Sequence, residues 1–439
     1  MKPYFYAICL LLFLILSGPV DYGQSAKKQS ATTAETKWLK HQITTLTSTT
    51  YSGRGYVNKG VEHAGRYLVR RFKEIGLSPV GADSSYLQGY TFPVNTFPDA
   101  ADLRLNRKDL IPGVDYLVDA SSPSFNKNNF KVKRIDLGKM DTIAFKKSLA
   151  GWHTDKRAYL LQNADDYCKR AGTRLWRFTH SLPEGCYIVP QHGKLTWTVD
   201  TKTIPATIFY VEDTVLPKHV SKVSANVHSV FIPEAKNENV IGMVPGEVAD
   251  SFIVFTAHYD HLGMMGRNAV FNGASDNASG TAMMLYLASY FAAHPQHYTM
   301  VFIAFSGEEA GLLGSEYFVG HPTIPLSHIR FLTNIDIMGD ATEGITVVNA
   351  TGQPKELALL QDINTKNEYL PAIKTRDNAP ISDHYMFTQK GVPSIFIFSN
   401  GGAGYYHDVM DNAKELTLNN IDKAARLFIA FGTTLNGTK

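Results

Sequence analysis

From Asn239 onward the apolar and polar positions fall into a repeating order. NVIGMVPG and SFIVFTA have the texture of strands, ASGTAMMLYLASYFAAH is an apolar run of helix length, and TMVFIAFS, IRFLTNIDIM and VPSIFIFS are strand-like again. Nearly continuous apolar strands alternating with helices need a sheet covered on both faces. The pattern therefore predicts an α/β fold, a mixed, mostly parallel sheet with helices on both faces. Upstream, Val61, Ala64, Leu68, Phe72 and Ile75 recur at helical spacing and Gly76 follows as a stop, so residues 35–81 are expected to be largely helical. Between 92 and 235 the texture changes to short alternating segments such as KLTWTVD and TIFYVED, broken by Pro, Gly and Asn clusters, which predicts a β-rich insert. The expected division is a leader over 1–24, an N-terminal helical segment over 25–91, the insert over 92–235 and the α/β domain over 236–439.

The first residues change the picture of where the chain works. Met1 and Lys2 lead into YAICLLLFLIL, then SGP, then the polar QSAKKQS, which is the order of a signal peptide. The run is too short to span a membrane comfortably. The expectation is an exported chain, periplasmic or extracellular; whether the leader is cleaved is left open. Cys9 would leave with a cleaved leader, and a Cys168–Cys186 disulfide is permitted outside the cytoplasm without being required. A net charge of +3 with no long Lys/Arg run offers no footprint for nucleic acid or an anionic membrane, so no stable membrane partner is expected.

Candidate chemistry gathers at the strand ends. SFIVFTA runs into His258 and Asp260, TMVFIAFSG into Glu308 and Glu309, FLTNI into Asp336, and VPSIFIFS into a glycine-rich loop that delivers His407. Asp276, in NGASDNASG, sits where a loop enters the long helix. In such sheets ligands collect beyond the carboxyl ends of the strands. Imidazoles and carboxylates without thiolate suit zinc or another borderline divalent ion, and no all-oxygen loop argues for calcium. Three carboxylates and a hydroxide would balance two divalent cations, an arrangement that hydrolases use with ions ~3.5–4 Å apart. Of the adjacent pair Glu308 and Glu309, only one need face a metal, leaving the other free as a general base; the plainer alternative is two carboxylates facing a helix N-terminus. His261 is expected to hydrogen-bond within its own loop. HExxH and GxSxG are both absent from the chain.

In their order, HYDHLG (258–263), GASDNASG (273–280), SGEEAGLLGSEYF (306–318), NIDIMG (334–339), SDHYMFTQKGVPS (382–394) and YYHDVMD (405–411) resemble the co-catalytic dizinc aminopeptidases, relatives of bacterial leucyl aminopeptidases and of glutamate carboxypeptidase II. The resemblance covers roughly 239–435, and more loosely GRGYVNKGVEHAGRYLVRRFKEIGL (53–77), and implies a zinc-exopeptidase-like fold with 236–439 as the catalytic metallopeptidase domain. It implies two Zn²⁺ per chain, Asp276 bridging them, His258 and Asp336 completing one, Glu309 and His407 the other, and Glu308 as general base. It further implies that Asp260 orients His258, that Asp411 is structural, that Asp383 and His384 support the site, and that Tyr406 is a candidate oxyanion donor or a pocket wall. The implied function is hydrolysis of peptide bonds at chain termini, most simply as an aminopeptidase on peptide substrates. Alternatives on the same scaffold are a carboxypeptidase or dipeptidase and a glutaminyl cyclase; a non-enzymatic binding protein would have lost ligands. Relatives often carry a protease-associated insert where 92–235 lies, but CKRAGTRLWRF matches its helix only faintly, and an unrelated cap is the other reading.

Overall fold

The computed structural model describes residues 33–80 and 84–437. The expected leader lies outside them. Among the described residues no helix is long and apolar enough to cross a membrane.

The strand-like runs after Asn239 all lie in one nine-stranded sheet, which Ser78–Pro79 and Leu87–Thr96 also join. At its centre Tyr298–Phe305, Val248–His258, Ile329–Ile335 and Ser394–Ser399 lie side by side and parallel. The flanks are partly antiparallel, with Val230–Val244 against Tyr298–Phe305 on one side and Ile345–Val348 against Ser394–Ser399 on the other. Parallel pairing is thus the rule in the middle rather than throughout. Alternate residues of the central strands enter opposite cores, as a pleated strand demands. Phe255, Ala257, Phe302 and Ala304 pack under the helices Ala34–Leu46, Gly60–Ile75, Gly280–Ala293 and Ile421–Gly437. Val254, Val301, Ile303 and Phe305 pack under Leu313–Gly320 and His384–Thr388. All eight residues of Tyr298–Phe305 are buried, which explains a run with no polar alternation. The short strands Ile345–Val348 and Ile373–Arg376 and the helix Pro354–Asn367 carry too weak a pattern to have been expected.

Within the insert a separate eight-stranded sheet runs from Lys108–Asp109 at one edge to Tyr116–Val118 at the other. Three short helices cover one of its faces through Phe145, Tyr167 and Phe178. Its other face shares a core with Leu262, Met265, Ala269 and Phe271 of the α/β domain. Leu87–Thr96 and Val230–Val244 pair antiparallel on both sides of 92 and 235, with a register shift between Ile232 and Ala235, so two long strands carry the chain out to the insert and back. TIFYVED is a strand as expected, but KLTWTVD is not. Its backbone groups are used elsewhere: the Trp197 amide donates to His407 and the Asp200 carbonyl accepts from Asn95. Cys168 and Cys186 are both buried and unbonded, in different cores.

Candidate metal centre

His258 ends its strand, and Glu308 and Glu309 follow the neighbouring Tyr298–Phe305, so the parallel register brings all three to one rim. Asp336 arrives on the strand at the other side of Val248–His258. It is aimed by a chain of side chains: Thr256 Oγ1 donates to Asn334, Asn334 Nδ2 to Ser382, and Ser382 Oγ to Asp336 Oδ2. Asp276 lies in the kinked entry to the helix Gly280–Ala293. Two glycines make that entry possible. A Cβ at Gly273 would meet the Asp276 carbonyl at 2.1 Å and one at Gly280 the Ile335 carbonyl at 2.5 Å, so side chains are excluded at both.

Asp276 stands between two sets of donors. His258 Nε2 is 3.4 Å from Asp276 Oδ1 and 3.2 Å from Asp336 Oδ1, while His407 Nε2 is 3.3 Å from Asp276 Oδ2 and 3.0 Å from Glu309 Oε2. Each oxygen of one carboxylate therefore faces its own imidazole–carboxylate pair. His258, Asp276 and Asp336 can present one ligand atom each within 4.8 Å of one another, and so can His258, Glu308 and Glu309. Asp336 Oδ1 is buried and has no hydrogen-bond partner despite lying beside His258. A buried carboxylate oxygen in that state is costly unless a cation meets it. The donor set, imidazole nitrogen and carboxylate oxygen around a shared space, fits zinc.

The electrostatics show how much negative charge is crowded there. Burial alone would lower His407, but Glu309 and Asp276 push it up to about 10; burial would raise Glu309, but His407 and His261 pull it down to about 2. Glu308 behaves differently, since burial raises its carboxyl well above the usual range and the carboxylates of Glu309, Asp383 and Asp336 add to the rise while His258 opposes it.

Each residue expected to support the site has its own surroundings. Asp260 lies 3.6 Å from His258 Nδ1, and the closer partner of that nitrogen is the Asp260 carbonyl, at 3.2 Å. The Asp260 carboxylate instead accepts from the Glu308 and Glu309 amides at 3.2 and 3.4 Å and from the Tyr56 hydroxyl. Asp411 accepts from the amides of Ser275 and Asp276 and so fixes the Asp276 loop. Tyr406 stacks on the His407 ring at 3.8 Å and lines a cavity of about 490 Å³ that opens onto Asp276, Glu308 and Asp336. Asp383 and His384 are fully buried; burial raises Asp383 to about 7 and lowers His384 to about 3.

His261 departs from expectation. Rather than propping its own turn, its Nδ1–H donates to Glu309 Oε1 at 2.7 Å, and its Nε2 is buried without a partner. Arg54, in the GRGY stretch, gave no functional signal in the sequence. It is wholly buried and donates to the carbonyls of Tyr259, Asn272 and Gly273 at 2.8, 2.6 and 2.7 Å, which clamps the Asp276 loop from beneath.

Residues 239–432, which hold every one of the converging side chains, match peptidase family M28. The segment that matches is the M28-like domain of this chain. The chain is 28% identical over 207 residues to the aminopeptidase YwaD of Bacillus subtilis, a match covering 44% of each protein. It is 25% identical over 219 residues to leucine aminopeptidase 1 of Chaetomium globosum, covering 45% of this chain and 53% of that one. The chain thus matches about half the length of these relatives. The M28 domain and its insert together resemble the solved zinc aminopeptidase BSAP of Bacillus subtilis, with a TM-score of 0.62 over 92% of this chain and 95% of that one at 16% identity. A peptidase M28 precursor from Shewanella amazonensis gives a TM-score of 0.63 over 92% and 97% at 13% identity. At these identities the likeness is one of fold.

Proposed function

We propose that this chain is an exported dizinc exopeptidase that releases residues from the N-termini of peptides. The observation that carries the reading is the placement of Asp276, whose two oxygens each face a separate imidazole and carboxylate. Asp276 with His258 and Asp336 would hold one zinc, and Asp276 with Glu309 and His407 the other. Zinc bound there supplies positive charge that polarises the scissile carbonyl and favours ionisation of the attacking water.

The remaining work falls to the chain's own side chains. Glu308 ligates neither position in this assignment and faces the same cavity, placed to accept the proton of the attacking water and return it to the leaving amine. Asp260, by accepting from the two glutamate amides, keeps Glu308 and Glu309 in divergent roles. Tyr406, stacked on His407, is placed to steady the negative charge that develops on the carbonyl oxygen. The cavity walls of Ile337, Ile381, Phe396, Phe398 and Leu416 favour an apolar side chain beside the scissile bond.

Preference for the N-terminal end is supported by the likeness to the aminopeptidase YwaD and to leucine aminopeptidase 1. Lys374 and Arg376 line the same cavity and favour a second reading, cleavage of short peptides gripped by a C-terminal carboxylate, as in a dipeptidase. Export is proposed from the leader-like run of the first residues.

The deciding experiment is turnover of peptides with both ends free, the amine acetylated or the carboxylate amidated, with zinc counted per chain. The reading expects about two zinc ions and no cleavage of the acetylated peptide. Cleavage of an acetylated peptide at an undiminished rate would remove the aminopeptidase assignment, and loss of turnover on amidation would favour the second reading.

A further inference from the structure

We infer that the inserted lobe is part of the metal centre: the backbone carbonyl of Trp197 orients the His407 imidazole, so one of the two metal positions depends on the lobe being docked. The inference rests on the proposed reading of His407 as a ligand. His407 Nδ1–H donates to the Trp197 carbonyl at 2.7 Å, and the Trp197 amide returns a bond to the His407 carbonyl at 3.1 Å. With Nδ1 committed to that carbonyl, Nε2, the atom that faces Asp276 and Glu309, is the nitrogen left to take a metal. Metal-bound imidazoles are held by such a bond to their second nitrogen, and its loss weakens metal binding.

The two histidines of the site differ in where that bond comes from. His258 finds its acceptor two residues away, in the Asp260 carbonyl, whereas His407 takes one from 210 positions earlier in the chain. In its own loop His407 has the stacked Tyr406 ring beside it, while the acceptor for its Nδ1–H comes from the insert. The segment NGGAGYY before it is rich in exposed glycine, and His407 itself has φ 55°, a left-handed conformation that a residue with a side chain keeps only when its surroundings impose it.

Trp197 is well fixed for the task. Its indole N–H donates to the Val118 carbonyl at 2.8 Å, and its ring stacks on Phe271 at 4.7 Å. Lys194 adds a second tie, donating to the Gly404 carbonyl at 2.7 Å, and Thr198 lines the cavity.

The test is metal titration of the purified full chain with Zn²⁺, and with Co²⁺ to read the absorption of each site, in the parent, Trp197→Ala and Trp197→Phe. Removing the indole frees the carbonyl to drift. One metal should then bind about 10–100-fold more weakly, with a changed cobalt spectrum, while the other is unaffected. Trp197→Phe, which keeps a stacking ring, should stand close to the parent. Equal affinities for both metals in a Trp197→Ala chain that still unfolds cooperatively would overturn the inference, as would equal weakening of both. Should Trp197→Ala not fold, Lys194→Ala gives the same contrast from an exposed position: weaker binding of the same single metal supports the inference, and unchanged binding of both overturns it. If His407→Ala retains both metals at parental affinity, it is the ligand assignment that falls.

Discussion

Two groups of histidine and carboxylate, one part-buried in the insert and one buried in the M28 domain, have opposite characters. In the insert, Asp119 accepts from the Ser121 amide on Oδ1 and from His180 and Tyr210 on Oδ2, and Asp200 nearby accepts from Ser121 Oγ and the Lys202 amide. Each carboxylate oxygen has a protein donor, and only His180 Nδ1 is left without a partner. In the M28 domain Asp276, Asp336, Glu309, His258 and His407 crowd one space, with Asp336 Oδ1 unsatisfied. The first group fulfils itself and fastens a fold. The second is completed only by something cationic. Residue types alone do not separate the two; the separation lies in whether the donors already present exhaust the acceptors.

The widest gap should come from Asp276→Asn. Replacing the shared carboxylate should reduce bound zinc from about two per chain to about one or fewer and abolish turnover, read by metal analysis beside a peptidase assay; retention of both ions would erase the distinction between the groups. Glu308→Gln should keep the zinc and lose turnover by about 10²–10⁴-fold, the usual weight of a positioned acid or base. If zinc and activity fell together, Glu308 would be a ligand and not the proton carrier. Asp119→Ala should do the reverse. It leaves His180 and Tyr210 short of an acceptor and should cost about 1–3 kcal/mol in urea unfolding, with zinc content unchanged.

The smallest effect concerns pH. Burial lowers His180, but the hydrogen bond and charge of Asp119 outweigh it and raise the net value above its ordinary ~6.5. Because the folded value is the higher one, this histidine's contribution is fully present below the unfolded pKa and is lost as pH rises through the folded one. The urea midpoint of the parent should therefore exceed that of His180→Gln by more at pH 5.5 than at pH 8.5, taken as round values on either side of about 6.5. A gap that does not shrink with rising pH would show that His180 acts by packing and not by charge.

Much of the M28 domain was legible in the sequence because its signals are local. A short apolar run with no alternation, rich in β-branched and aromatic residues, suits a strand covered on both sides, and a His, Asp or Glu that ends such a strand emerges at its rim. His258, Glu308, Glu309 and Asp336 follow from that reasoning. KLTWTVD misled because alternation around Trp197 looks the same whether the backbone pairs with a strand or with His407. His261 misled because a loop histidine's partner, here Glu309, lies on another strand. Arg54 was silent because its partners are carbonyls, which leave no trace in residue identity.

By itself, then, the sequence determined the central strands, the rim from which the polar groups emerge and the chemical type of those groups, since each is set by neighbours a few residues apart. The tertiary structure alone decided that the two oxygens of Asp276 face different imidazoles, that Arg54 clamps their loop and that the insert reaches His407. Those contacts join segments separated by up to 222 residues, and their existence depends on how the lobes pack, which no short stretch of chain encodes.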